Sequence, residues 1–250
     1  RLSSTGGVES VVDEVCYENV PPWPVGAEGA GVSLQLMDAA QDNRRVGNWA
    51  ADAVAGGTPN ASNSVADVLP PFPDVYLNEV QPVNERTLQD AFGDYDPWIE
   101  VCSTASETQS LSGFFLTDDY AQPDRWAFPA DAAAAPGAFL LIWADGETNQ
   151  QTATELHAGF ALKETGGELA LVREVDGRFI VVDYLHVPQV PHDRSYGDYR
   201  DGDWTNRAYF AQPTPGAANQ LSTSSILITA SAGAHGTVTP SGPVEVLYGF

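Results

Sequence analysis

Asp96-Pro-Trp-Ile-Glu-Val-Cys102, Leu111-Ser-Gly-Phe-Phe-Leu-Thr-Asp-Asp119, Trp126-Ala-Phe-Pro129 and Pro136-Gly-Ala-Phe-Leu-Leu-Ile-Trp143 decide the fold. Large apolar residues recur at alternate positions in short runs, and turn residues break those runs, which is the period of half-buried strands. Trp98, Val101, Leu111, Phe114, Leu116, Trp126, Phe128, Phe139, Leu141 and Trp143 are expected to supply the inward faces of four strands. Ser112-Gly113, Asp118-Asp119 and Pro136-Gly137 supply the turns between them. The stretch reads as the middle of a β-sandwich, and no catalytic signature sits in it.

Working outward, the whole chain is turn-rich and short of helix formers, with Gly 23, Pro 18 and a single Met in 250 residues. A hydrophobic fraction of 43% is ample for a core. Acidic residues number 34 against 11 basic, a net charge of -23, and Lys163 is the only lysine. Such a surface repels phosphate backbones and anionic lipid, which argues against nucleic-acid partners. It suits solubility in a salty or extracellular medium, and it leaves divalent-cation binding open. No apolar run is long enough to span a membrane. Cys16 and Cys102 lack the spacing of a metal or redox motif and are expected as buried free thiols.

Residues 1–66 repeat turn chemistry that returns later. Leu-Ser-Ser-Thr-Gly-Gly (2–7), Val-Val-Asp (11–13), Ser33-Leu34, Asn48-Trp49 and Thr-Pro-Asn-Ala-Ser-Asn (58–63) come in order. Leu-Lys-Glu-Thr-Gly-Gly (162–167), Val-Val-Asp (181–183), Ser195-Tyr196, Asp203-Trp204 and Thr-Pro-Gly-Ala-Ala-Asn (214–219) follow in the same order. Matching tokens in matching order point to duplication, with the first copy lacking its front half. The expected division is a partial module at 1–66, a stiff Pro-rich linker at 67–74 and a complete module at 75–220. The start of a further β-rich repeat is expected at 221–250. Half a sandwich cannot bury its apolar faces alone, so its missing strands are expected upstream in the polypeptide or from a neighbouring molecule by strand exchange.

The central module resembles the bacterial lamin tail domain, the immunoglobulin-like sandwich first described at the end of nuclear lamins. Tyr-Leu-Asn-Glu-Val (76–80), Asp-Pro-Trp-Ile-Glu (96–100), Leu111–Asp119, Trp126–Pro129, Pro136–Trp143, Ser195-Tyr-Gly197 and Thr214–Asn219 carry the resemblance. Residues 1–63 are similar to the closing part of a second copy, marked by Trp23-Pro24, Ala27-Glu28-Gly29, Ser33-Leu34 and the Thr-Pro terminus. Asn60 stands where the family usually has Gly, and Cys102 replaces its usual aromatic or aliphatic residue. Residues 226–250 resemble the short surface repeats of proteins related to internalin B. The resemblance implies an all-β, tandem, non-catalytic arrangement in a secreted or cell-surface bacterial protein. Its implied role is structural or adhesive, toward other protein modules or chains. An accessory carbohydrate-binding region of a secreted enzyme, facing extracellular polysaccharide, and a self-assembling extracellular filament subunit are the alternatives. No cofactor is implied.

For chemistry, no Gly-x-Ser-x-Gly elbow or phosphate-binding Gly-rich loop occurs. His157, His186, His192 and His235 lack metal-ligand spacing, and His186 and His192 flank a Pro-bounded loop and are expected as surface or loop residues. The acidic clusters remain. Asp90, Asp94 and Asp96 crowd one loop, Asp118, Asp119 and Asp124 a second, and Asp198, Asp201 and Asp203 a third. Loops at one end of a sandwich can pool oxygens for calcium, but Asp is also a favoured turn residue, and none of the three fits the twelve-residue calcium-loop pattern. Tyr120, Tyr196, Tyr199, Trp204 and Tyr209 fall in or near loops and could form a sugar-binding face.

Overall fold

The alternating runs become strands, and the chain is all-β. A computed structural model describes residues 2–3, 9–10, 14–27, 31–52, 56–221, 225–233, 236–239 and 242–247. Residues 4–7 and 11–13 of the first repeat copy, Glu28-Gly29 and His235 lie outside the described residues. The main strands are β1 (Leu34–Leu36), β2 (Trp49–Ala51), β3 (Val75–Gln81), β4 (Trp98–Ser103), β5 (Phe114–Thr117), β6 (Trp126–Ala127) and β7 (Phe139–Trp143). They continue with β8 (Leu156–His157), β9 (Gly167–Val175), β10 (Arg178–Val187), β11 (Ser195–Asp198), β12 (Arg207–Phe210), β13 (Ser225–Ala230) and β14 (Gly242–Leu247). Helical turns are short 3-10 pieces such as Val46–Asn48, and among the described residues no helix is long and apolar enough to cross a membrane.

Two compact units follow the sheets rather than the order of the sequence. One comprises Arg1–Val75, Gln109–Ala133 and Glu168–Leu185; the other comprises Tyr76–Thr108, Ala134–Gly167 and His186–Phe250. Each contains a multi-strand sheet with buried faces, the material from which a β-sandwich is built.

The first unit carries a four-stranded sheet in the order β10-β9-β5-β6. β5 pairs antiparallel with β9, Leu116 opposite Leu171, and with β6, Leu116 opposite Trp126. Leu169, Ala170, Leu171 and Val172 are all buried, so β9 is covered on both faces, and a continuous apolar run is what such a strand requires. Ala170, Val172 and Tyr184 meet Trp23 and Val46 from the N-terminal segment in one buried cluster. The indole N–H of Trp23 donates to the Tyr184 hydroxyl at 2.8 Å, and Arg45 donates to the carbonyl of Val182 at 3.1 Å. Gly47 permits the approach: a Cβ there would lie 2.3 Å from the Val181 carbonyl oxygen. Trp23 and Val46 of the N-terminal segment are thus buried within this unit, while Tyr17, Val20 and Val25 stay exposed.

The Pro-rich stretch expected as a linker is fastened in the same unit. Arg173 of β9 donates to the carbonyls of Pro71 and Pro70, each at 2.6 Å, and its guanidinium lies 5.2 Å from the centre of the Phe72 ring. Arg45 donates to the Pro73 carbonyl at 3.0 Å. Proline carbonyls are unopposed acceptors, since the residue has no N–H, and charged donors satisfy them well.

The second unit carries a six-stranded sheet in the order β8-β7-β4-β3-β11-β12. All six residues of β4 are buried, and Glu79, Gln81 and Glu100 are buried among the apolar side chains of β3 and β4. Trp98 donates to Gln81 Oε1 at 2.6 Å. Along β7 the burial differs from simple alternation: Ile142 and Trp143 are buried while Phe139 and Leu141 are half-buried. The cause is the flank, because β8 runs parallel to β7 only at Ile142 and Trp143. β13 and β14 form a separate antiparallel pair, as the alternation there required. Both cysteines are free; Cys102 is buried, but Cys16 is exposed, against expectation.

The two Thr-Pro hexapeptides fold alike. The Ala61 amide donates to the Thr58 carbonyl at 3.1 Å, and the Ala217 amide to the Thr214 carbonyl at 3.0 Å. The third residue has positive φ in both, 59° at Asn60 and 77° at Gly216. Asn is one of the few side-chain-bearing residues that enter this region readily, which explains the substitution. Each turn also ends on an asparagine that ties it to the last residue of a strand: Asn63 donates to the Leu36 carbonyl at 2.9 Å and Asn219 to the Asp198 carbonyl at 2.7 Å.

Candidate functional site

Of the three acidic loops, one converges. Asp90, Asp94 and Asp96 lie in the β3–β4 loop, and carboxylate oxygens from all three lie within 4.8 Å of one another. The loop is held by its own polar side chains. Asn84 donates to the carbonyls of Leu88 at 2.7 Å and Asp96 at 3.0 Å and accepts from the Thr87 amide at 3.1 Å. Asp193 accepts from the amides of Glu85 and Arg86 at 2.9 and 3.1 Å and pairs with the Arg86 side chain at 2.8 Å. Asp90 Oδ1 accepts from the amides of Phe92 and Asp94 at 2.9 and 2.8 Å, while Oδ2 of Asp90 and Oδ2 of Asp96 are buried with no hydrogen-bond donor. Burial, then the charges of Asp145, Asp90, Asp94 and Glu147, pushes the Asp96 carboxyl up to about 6.

The other two acidic loops are occupied by turn chemistry. Asp118 pairs with Arg125 at 3.0 Å, and Asp119 accepts from the Ala121 amide at 2.9 Å and from Gln122 at 2.7 Å. Asp124 is exposed and outside any grouping of ligand atoms among the described residues. Asp198 pairs with Arg207 at 3.1 Å, Asp201 accepts from Asn78 at 3.2 Å and from the Asn219 amide at 2.9 Å, and Asp203 accepts from Thr205 at 2.6 Å. Apart from exposed Asp124, each of these side chains is engaged by a neighbouring residue.

Two buried features escaped the sequence reading. Glu79 and Glu100 are both fully buried in the second unit. Glu79 accepts from the Ser195 hydroxyl, from the Thr214 amide at 3.1 Å and from the Thr214 hydroxyl at 3.0 Å. Glu100 accepts from Asn78 at 3.0 Å and from the Gly216 amide at 2.6 Å. Burial raises the Glu79 carboxyl above its ordinary value and pushes Glu100 up to about 8, with the neighbouring Glu79 and Asp201 charges adding to Glu100. The second feature is His157, wholly buried on β8, whose Nδ1 lies 2.7 Å from Asp145 Oδ2 and whose ring stacks on Trp143. A signal existed for the first: a glutamate breaks the apolar alternation at both 79 and 100. His186 is half-buried near the end of β10, just before the Pro-bounded loop, and His192 beyond it is exposed between Glu85 and Glu164 at 3.0 and 3.3 Å.

The aromatic candidates divide. Tyr196 and Tyr209 stand opposite each other on β11 and β12, ring centres 4.9 Å apart, with Tyr209 exposed. Tyr199 and Trp204 are half-buried, and Tyr120 packs against the Trp23 cluster of the first unit. In the first unit, Met37, Val46, Trp49, Leu69 and Phe179 line a cavity of about 240 Å³. Arg178 at this cavity pairs with Asp67 at 2.7 Å. No model of a known protein family matches the chain, and no curated protein is similar to it in sequence.

Proposed function

We propose that this chain is a non-catalytic structural or adhesive segment of a larger secreted or cell-surface modular protein, of the lamin-tail-like kind its motifs resemble. The observation that carries this reading is the use made of two fully buried acids, Glu79 and Glu100, and of half-buried Asp201. Glu79, Glu100 and Asp201 each hold the Thr214–Asn219 segment or its neighbours against the sheet. Acid–base catalysis needs carboxyls that reach a substrate, and these reach backbone amides instead. The surface left for partners is loops and edges, and β12 ends the six-stranded sheet, with exposed Tyr209 on it. An edge strand offers backbone donors and acceptors to another chain.

A second reading, carbohydrate binding, is favoured by the Tyr196–Tyr209 pair, because paired rings offer apolar faces to sugars. Beads coated with the chain separate the two. Adhesion between coated beads, with no retention on insoluble polysaccharide, supports the first reading. Retention on cellulose or chitin that Tyr209→Ala abolishes supports the second. Turnover of generic glycoside or phosphoester substrates would sink both.

A further inference from the structure

We propose that Asp90, Asp94 and Asp96 bind a calcium ion in the β3–β4 loop. Three acidic residues near one another are ordinary, and buried carboxylate oxygens without a hydrogen-bond donor occur also at Asp118, Asp193 and Asp198; those three side chains pair with arginines, whereas the ion pairs among the described residues include none to Asp90 or Asp96. Asp90 is only 7% exposed, and its Oδ2 is buried without a donor although Oδ1 of the same carboxylate takes two amides. Asp96 Oδ2 is orphaned in the same way. A buried carboxylate oxygen without a donor is costly, and Asp145 and Glu147 add further negative charge at Asp96. A cation held between these carboxylates supplies the compensating charge.

The donor set selects the ion. Its ligand atoms are all hard carboxylate oxygens, which suit calcium or magnesium rather than the softer metals that seek sulfur and imidazole. Oxygens up to 4.8 Å apart fit across a calcium coordination sphere, whose diameter is roughly 4.6–5.2 Å; a magnesium sphere of roughly 4.0–4.2 Å would require them to close in. The loop is already fixed by Asn84 and Asp193, so little ordering accompanies binding. Asp94 is exposed, which gives the ion an entry path and leaves room for water ligands.

Terbium, a calcium mimic that luminesces when a nearby tryptophan is excited, reads the site directly, since Trp98 follows Asp96 by two residues. The wild-type chain is expected to show sensitised terbium luminescence that calcium displaces. Asp94→Asn and Asp96→Asn should each weaken terbium and calcium binding at least tenfold, while Asp124→Asn changes neither. Calcium should raise the unfolding temperature of the wild type but not of the variants. Without calcium, Asp96→Asn should unfold at the wild-type temperature or above it, because a buried repulsion has been removed. Absence of luminescence in the wild type, or equal luminescence in the variants, overturns the proposal. So does an Asp96→Asn chain that is less stable without calcium and still binds terbium, since the carboxylate would then be a structural acceptor.

Discussion

Thr58–Asn63 and Thr214–Asn219 are the same backbone device set in two different surroundings. Both close with an amide-to-threonine bond, both pass through positive φ at the third residue, and both end on an asparagine bonded to a strand carbonyl. Their anchors differ. The first turn is held through neutral amide chemistry at Gln35, which donates to the Thr58 hydroxyl at 2.9 Å and accepts from the Ser64 amide at 2.9 Å. The second is held by two fully buried carboxyls, Glu79 and Glu100. Turn geometry is thus specified by a few local residues, whereas the strength of its attachment is decided by what the facing strand presents. A carboxylate binds N–H and O–H donors more strongly than an amide does, but burial opposes the charge, and Glu100, pushed up to about 8, keeps its proton at neutral pH.

The comparison breaks most severely at Glu79. Glu79→Ala removes the acceptor for Ser195 and for both donors of Thr214, and it should cost about 3–5 kcal/mol in chemical denaturation. Next comes pH. Glu100 is held up near 8 in the folded chain against about 4.5 in the unfolded one. Between those values the folded state keeps a proton that the unfolded state has released, so stability is full below about 4.5 and falls as pH rises toward 8. Denaturation midpoints across that window should drop by an amount on the order of a few kcal/mol, and Glu100→Gln should flatten the profile. The glutamine keeps one acceptor oxygen but presents N–H to the other donor, so it starts from lower stability.

The first turn should respond more weakly. Gln35→Ala is expected to cost about 1–2 kcal/mol, with no dependence on pH over the same range. Equal losses at Gln35 and Glu79 would erase the distinction between the anchors. The smallest effects test the shared geometry. Gly216→Ala should cost about 1 kcal/mol because of its positive φ, while Asn60→Gly should stay within about 0.5 kcal/mol of wild type. A larger loss for Asn60→Gly would mean that its side chain does more than tolerate the turn.

Much of the fold was legible because it depends on local pattern. Alternation around Trp98, Leu116 and Trp126 gave strands, and Gly113 and Gly137, both at positive φ, gave turns where the sequence placed them. The buried carboxyls were legible only as breaks in the alternation at Glu79 and Glu100, and their burial could not be read until the returning Thr214–Asn219 segment is known to cover them. Tertiary burial has no sequence period. The acidic loops were legible as clusters only. Spacing could not separate Asp118, which has Arg125, from Asp90, whose second oxygen has nothing. Nor could it show that Trp23 and Val46 would find Tyr184, because partners so far apart in the chain share no local signature.

The clasp of Arg173 on Pro70 and Pro71 fixes where this polypeptide can be divided. Three prolines in four residues look like a natural scissors mark between modules. Cutting there would strand a guanidinium that is only 9% exposed, with both carbonyl acceptors gone, and the excised 75–220 piece would carry that vacancy as a defect of its own. Dissection should keep residues 66–75 with whatever follows them, and insertions that separate the halves belong in exposed turns such as the one at Asn60, not among the prolines.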